Sequence, residues 1–378
     1  MDLAQARALA ERALPDVLPA HEATAGRWTS TALTPEEFPL PELILVGLRD
    51  LRDLPSFGPM EKMRWAVSGR VGDIPFSVAL HKFGPSLRLP VTAGADELRL
   101  VVARLHRAAK IAERYLQSLA ASQLRSANAT VINEYIQFDR SYRFFRERAA
   151  TAYDTPPPPV QVIATNASGE PTGWASEPFK PQVEGGYLAG AMLDAYFSRL
   201  EHLLVLLLPF TCVDLSTGAA LDFMAAPWDD KWKRLFSLSS EPAMKKAFDV
   251  LKQLKESIRN PLAHGGFSKK GTSLFFHVDR VGALPVLLSK HGRSWEFTIT
   301  RIPSRSFDEL CAQLDEVDEA LAQSRLWAGV TFAQSGLNVA LDPESCARCR
   351  EAADSAEALE AFMDRLGHLQ DLHANMDY

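Results

Sequence analysis

The run "EGGYLAGAMLDAYFSRLEHLLVLLLPF", residues 184–210, restricts the fold more than any other stretch. Its apolar residues crowd most of the circumference of one long helix, expected to begin after Gly185 and Gly186 and to stop near Pro209. A helix of that kind must be surrounded by other elements. Its most apolar part, "LLVLLLPF" at 203–210, falls far short of the ~20 residues that a membrane span needs. Yet Asp194, Arg199, Glu201 and His202 interrupt it. Buried polar groups need partners, so one stripe of this helix is expected to face something polar.

Other helical patterns supply the surroundings. "EPAMKKAFDVLKQLKESIRN" buries Met244, Phe248, Leu251, Leu254 and Ile258 and exposes its lysines, and "SFDELCAQLDEVDEALAQS" continues the same kind of pattern. Between residues 273 and 302, "SLFFHVDR" and "SWEFTITRI" predict a β-hairpin. The first half is mixed. It predicts a short helix over 1–16, strands at 42–48, 63–69 and 74–83, and two helices at 96–122 and 129–149. Trp65 and Val67, then Phe76, Val78 and Leu80, alternate with polar or small residues on either side of "RVGD", the pattern of a hairpin with one buried face. "TPPPPV" at 155–160 can be neither helix nor central strand, because consecutive prolines lack N–H donors.

The expected fold class is therefore α+β, mainly α. An N-terminal mixed domain over 1–150 is followed by a Pro/Gly-rich linker at 151–183, a helical domain at 184–325 and a helical tail at 326–378.

Charge is distributed unevenly. The whole chain carries a formal −6, but residues 231–293 hold 13 Lys and Arg against four Asp and Glu, a local +9, leaving −15 for the remainder. A concentrated positive field suits a phosphate-bearing partner. With 47% hydrophobic residues, four scattered cysteines and no apolar leader at "MDLAQARALAERAL", the sequence predicts a globular cytoplasmic protein without a disulfide framework and without a membrane partner.

"SIRNPLAHGGFSKKG", residues 257–271, lies inside that positive region. In a straight helix residues five apart point about 140° away from each other, so Arg259 and His264 would not share a face. Pro261 changes this. It has no N–H, clashes with the carbonyl four positions back, and biases Asn260 away from helical dihedrals. A break near Asn260 could gather a guanidinium, a carboxamide and an imidazole at one edge, and Gly265 and Gly266 would let backbone approach a ligand closely. An Arg fork holds phosphate, and a His exchanges protons near neutrality. Without a metal or cofactor, such a trio suffices for RNA cleavage by 2′-hydroxyl attack on the adjacent phosphate. A plainer reading has Arg259 and His264 capping a helix C-terminus, where cations favour the dipole.

The spacing Arg259-Asn260-x-x-x-His264, at the end of a long helix in a predicted bundle, resembles the R-x4-6-H motif of the HEPN superfamily, over about residues 185–325. That resemblance implies a HEPN-like helical bundle, here with a β-hairpin insertion, that dimerises with its motifs facing each other. It implies a metal-independent endoribonuclease acting on RNA in host defence, toxin–antitoxin or RNA-processing systems, leaving a 2′,3′-cyclic phosphate. His264 would then be the general acid/base, Arg259 the phosphate-binding group and Asn260 the positioning residue. Lys269 and Lys270 would be substrate-binding lysines, and an antitoxin or regulator a protein partner. Other members of the superfamily bind nucleotides or proteins without cleaving anything.

Cys346 and Cys349, followed by His368 and His373, contain the ligand types for one zinc ion. The segment "DPESCARCREAADS" reads as helix, however, and cysteines three apart on a helix face are more often buried apolar residues. No metal site is expected. His81, His106, His277 and His291 stand singly and are expected to be structural or surface residues.

Overall fold

The chain folds as a mainly helical α+β protein, 58% helix against 17% strand, with small sheets. The computed structural model describes residues 1–20, 27–213, 215, 218–260, 273–288, 295–297 and 302–376. Contacts group these residues into two units, one of residues 1–126 with 364–378 and the other of 127–363.

In the first unit, α1 (Leu3–Ala13) opens on a reciprocal cap: the Asp2 carboxylate accepts from the Gln5 N–H, and the Gln5 side chain accepts from the Asp2 N–H. Six strands follow: β1 (Val17–Pro19), β2 (Trp28–Ala32), β3 (Ser56–Phe57), β4 (Met63–Val71), β5 (Ile74–His81) and β6 (Gly84–Pro90). They pair in the order β1-β4-β5-β6-β2, entirely antiparallel, with β3 also on β4. The alternation of β4 and β5 does what the sequence suggested: Trp65, Val67, Phe76, Val78 and Leu80 enter one core. The 31-residue helix α3 (Ala95–Arg125) adds Val101, Leu105, Ala108 and Ile111 to the same core.

Residues 42–48 are not the expected strand. They form α2 (Glu42–Leu45) running into a π turn at Val46–Asp50. The reason is visible in the buried residues, since Ile44, Leu48 and Leu51 recur at helical rather than alternating spacing. Gly47 lets this helix touch α3 closely: a Cβ there would sit 2.6 Å from the Ala108 carbonyl oxygen.

In the second unit, β7 (Thr130–Val131) leads to α4 (Tyr135–Asp154), the hairpin β8 (Gln161–Thr165) and β9 (Pro171–Ala175), and then α5 (Lys180–Leu206). Helix α5 is the predicted apolar helix, lengthened at its start so that Gly185 and Gly186 lie within it. Gly185 is required there, because a Cβ would meet the Tyr153 ring of α4 at 2.5 Å. Next come α6 (Ala219–Ala225), α7 (Trp228–Leu235), α8 (Pro242–Leu254), β10 (Ser273–Val278), β11 (Gly282–Leu288), β12 (Trp295–Glu296), α9 (Ser304–Ala322), α10 (Trp327–Gln334), β13 (Val339–Ala340), α11 (Pro343–Ala352) and α12 (Ala356–Asn375), whose residues from 364 on group with the first unit. Helices α4, α7, α9 and α10 all touch α5. Along it Ala189, Met192, Leu193, Tyr196, Phe197, Leu200, Leu203, Leu204 and Leu206 are buried, each large side chain contributing about 1.5–3 kcal/mol by leaving water.

The contact grouping also departs from the sequence boundaries. Helix α4, placed with the N-terminal domain on sequence, packs most extensively on α5, and residues 151–183 hold the end of α4 and a hairpin rather than a bare linker. The tail from 364 groups with the first unit, where the Lys62 N–H donates to the Met376 carbonyl at 2.8 Å. The expected hairpin over 273–302 is instead a three-stranded meander, β10-β11-β12. A turn with positive φ at Arg280 and Gly282 folds β10 straight back onto β11, a strand disguised in the sequence by Pro285.

Candidate functional site

The polar stripe on α5 has partners in three directions. Arg199 is 4% exposed and both Nη groups of its guanidinium are hydrogen-bonded. Its Nη1 donates to Asp139 of α4 at 2.6 Å, and its Nη2 donates to both carboxylate oxygens of Asp318 on α9 at 2.7 and 2.6 Å. The rings of Tyr142, Tyr196 and Tyr135 surround it at 4.6, 4.7 and 5.8 Å. Tyr196 also donates its hydroxyl to Asp318 at 2.9 Å. Burial pushes the Tyr142 phenol up to about 12, so it stays protonated. Beside this cluster Arg146 donates through both Nη atoms to Asp315 and through Nη1 to the Tyr142 oxygen. These contacts tie α4, α5 and α9 together.

His202 is equally committed. Its Nε2 accepts the Glu134 N–H at 2.9 Å, and its ring packs on Phe138. Burial lowers its pKa, with the Glu134 charge opposing, so it remains a neutral acceptor and not a proton shuttle. Glu201 acts on α7, where its charge opposes the burial that lowers the pKa of Lys231.

Asp194 points elsewhere, to the motif. Helix α8 passes at its C-terminal end into a π turn over Lys255–Arg259, and the Asn260 N–H donates to the Lys255 carbonyl five residues back. Turns of this kind are rare and frequent at functional sites. Asn260 keeps helical dihedrals, φ −61° and ψ −44°, contrary to the bias expected from a following proline. The distortion falls one turn earlier, where widening frees the chain from the regular ladder that Pro261 cannot join. Arg259, its side chain 33% exposed, donates from Nε to Asp194 Oδ1 at 2.9 Å and lies 5.9 Å from the Phe197 ring centre. Neither Nη group makes a hydrogen bond to a described residue. Among the described residues, the guanidinium is thus hydrogen-bonded through its Nε edge alone.

Of the predicted site residues, Arg259 and Asn260 lie together at this helix end, while His264, Lys269 and Lys270 fall outside the described residues. Sequence reasoning identified Arg259 and passed over Asp194 as its holder. The signal was the placement of a carboxylate within the apolar helix one turn before Phe197.

The cysteine pair is chemically quiet. Cys346 and Cys349 are buried on α11, and burial raises both thiols, Cys349 to about 12. Among the described residues no group of three or more His, Cys, Asp or Glu side chains could hold a metal. His106 stacks on Phe38 with ring centres 4.2 Å apart, a packing role. No described helix is long and apolar enough to cross a membrane. Comparison with protein-family models, with curated proteins and with solved structures finds no match.

Proposed function

We propose that the second unit is a HEPN-type domain acting, as a homodimer, as a metal-independent endoribonuclease. The observation that carries this reading is Arg259 at the helix end: fixed through Nε by Asp194, with neither Nη group hydrogen-bonded to a described residue. A held guanidinium loses little freedom on binding and meets a phosphodiester bidentately. The surrounding +9 stretch supports it by drawing polyanions to this region.

In the reaction a ribose 2′-oxygen forms a bond to the adjacent phosphorus while the bond from phosphorus to the 5′-oxygen breaks. The 2′-hydroxyl proton passes to the imidazole of His264, and the departing 5′-oxygen takes a proton from His264 of a second copy. Arg259 neutralises charge growing on the phosphoryl oxygens, and Asn260 orients the phosphate or the imidazole. The products are a 2′,3′-cyclic phosphate and a 5′-hydroxyl. A defence or toxin system, with an antitoxin or regulator as protein partner, is the setting in which such an activity fits.

A second reading, a HEPN-like module that binds a nucleotide or protein without cleaving, is favoured by Asp194 itself, since a carboxylate 2.9 Å from Arg259 opposes the approach of another anion. Incubation with mixed RNA in EDTA separates the two. Cleavage leaving cyclic phosphate ends, reduced about 10²–10⁴-fold by His264→Ala, is the expected result. Absence of cleavage, or cleavage that His264→Ala leaves intact, rejects the nuclease.

A further inference from the structure

The sheet of the first unit gives one face to the core, and its other face carries a polar row. Ser68, Ser77, Arg88 and Ser30 stand opposite one another in register across β4, β5, β6 and β2. Ser68 donates to the Ser77 hydroxyl at 3.2 Å. Arg88 is exposed and makes no hydrogen bond or ion pair with any described residue. A cavity of 320 Å³ opens over this row, walled by Trp28, Phe57 and Pro75 and lined by Ser68, Ser77 and Arg88. Among the described residues no acidic side chain lines it, and the one charged side chain there is a cation. Phe57 is 55% exposed, an apolar surface that the fold itself leaves uncovered.

Each feature selects part of a ligand. The unopposed guanidinium selects an anion that can accept two hydrogen bonds. Aromatic rings beside it select a planar ring, which stacks on them. The hydroxyl pair donates and accepts, as sugar hydroxyls or ring heteroatoms require. The volume lies at the small end of organic ligand sites, about 300–1,000 Å³.

We propose that this cavity binds a nucleoside monophosphate, with the phosphate on Arg88 and the base against Trp28 and Phe57, either as a free nucleotide or as the terminal nucleotide of an RNA strand. The proposal uses residues of the first unit alone and stands whether or not the second unit cleaves RNA.

The test is equilibrium dialysis and tryptophan fluorescence on the full-length protein. The probes are AMP, GMP, CMP and UMP, with adenosine and inorganic phosphate as fragments and a 5′-phosphorylated tetranucleotide for the strand. At least one mononucleotide or the tetranucleotide is expected to bind with a dissociation constant on the order of 10–100 μM. Arg88→Gln, an exposed change checked for folding by circular dichroism, should weaken binding at least about tenfold. Trp28→Leu should weaken it about as much and remove most of the fluorescence change. Equal affinity for mononucleotide and tetranucleotide assigns the free molecule, and tenfold tighter tetranucleotide binding assigns the strand end. The proposal is overturned if no probe binds saturably at millimolar concentration, if phosphate alone binds as tightly as the nucleotide, or if Arg88→Gln binds like the unaltered protein.

Discussion

Two arginines meet carboxylates along α5, and they differ in how much of the guanidinium the protein keeps for itself. Arg199 gives both Nη groups to Asp139 and Asp318 under three tyrosine rings, while Arg259 gives only Nε to Asp194 and makes no hydrogen bond from its Nη groups to a described residue. Enclosure makes the first a fastener between helices. Partial enclosure makes the second a fixed donor with capacity left over, which is what a binding group needs.

The largest effect should come from breaking the fastener. Arg199→Ala leaves Asp318 without its cation and Asp139 with Arg143 alone, and should lower unfolding stability by about 3–5 kcal/mol, read from urea midpoints. A loss below about 1 kcal/mol would mean that the cluster is no more structural than a surface pair. Arg259→Gln should do the reverse. Its half-exposed pair contributes at most about 1 kcal/mol to stability, whereas the proposed RNA cleavage should fall about 10²–10³-fold with the melting temperature nearly unchanged. Equal loss of stability and activity would erase the distinction between the two arginines.

Acid sharpens the contrast further. Hydrogen bonding from Arg146 holds the Asp315 carboxyl below its ordinary value of 3.8. For Asp139, burial pushes the carboxyl up, but Arg143 and Arg199 together outweigh it and hold it below 3.8 as well. Carboxyls depressed in the fold stabilise it above the unfolded value and lose that contribution as pH falls through the folded one. Stability should therefore decline steeply below about pH 4, and more gently in Arg146→Gln, which frees Asp315. Identical acid slopes in urea titrations at pH 5 and pH 3 would dismiss the Arg146–Asp315 contribution. The smallest effect belongs to Asp194→Asn. It should cost a few tenths of a kcal/mol, about what an exposed pair contributes, and change RNA affinity several-fold through the freer Arg259 side chain, measured by fluorescence anisotropy of labelled RNA.

How much of this the sequence disclosed depended on whether a signal was periodic. The β4–β5 hairpin, α3 and α5 were legible because Trp65, Val67, Phe76 and Val78 alternate, and because Met192, Tyr196 and Leu203 follow helical spacing. Residues 42–48 misled because a short apolar run fits strand and helix alike, and only packing against α3 decides. Strand β11 was hidden by Pro285, normally an argument against a strand with neighbours on both sides. Of the candidate site, Arg259 and Asn260 were singled out through a motif, but the Asp194 pairing was not, because residues 65 apart in sequence carry no periodic signature. The cavity at Arg88 was invisible for the same reason: its row of side chains comes from four strands, and only register assembles it.

The π turn at Lys255–Arg259 also makes a statement about insertion and deletion. Bonding five residues back rather than four stores one surplus residue in the helix. Removing a single residue from this turn would let the ladder close as ordinary α-helix, without cutting the chain or exposing the core. Residues on either side of the turn would keep their phase, because they already sit about where an uninterrupted α-helix one residue shorter would put them. The rearrangement would be confined to the turn that carries Arg259, so its Nε bond to Asp194 is the contact at which such a deletion would be felt. The helix thus holds a place where its length can change by one residue at the cost of a single local contact.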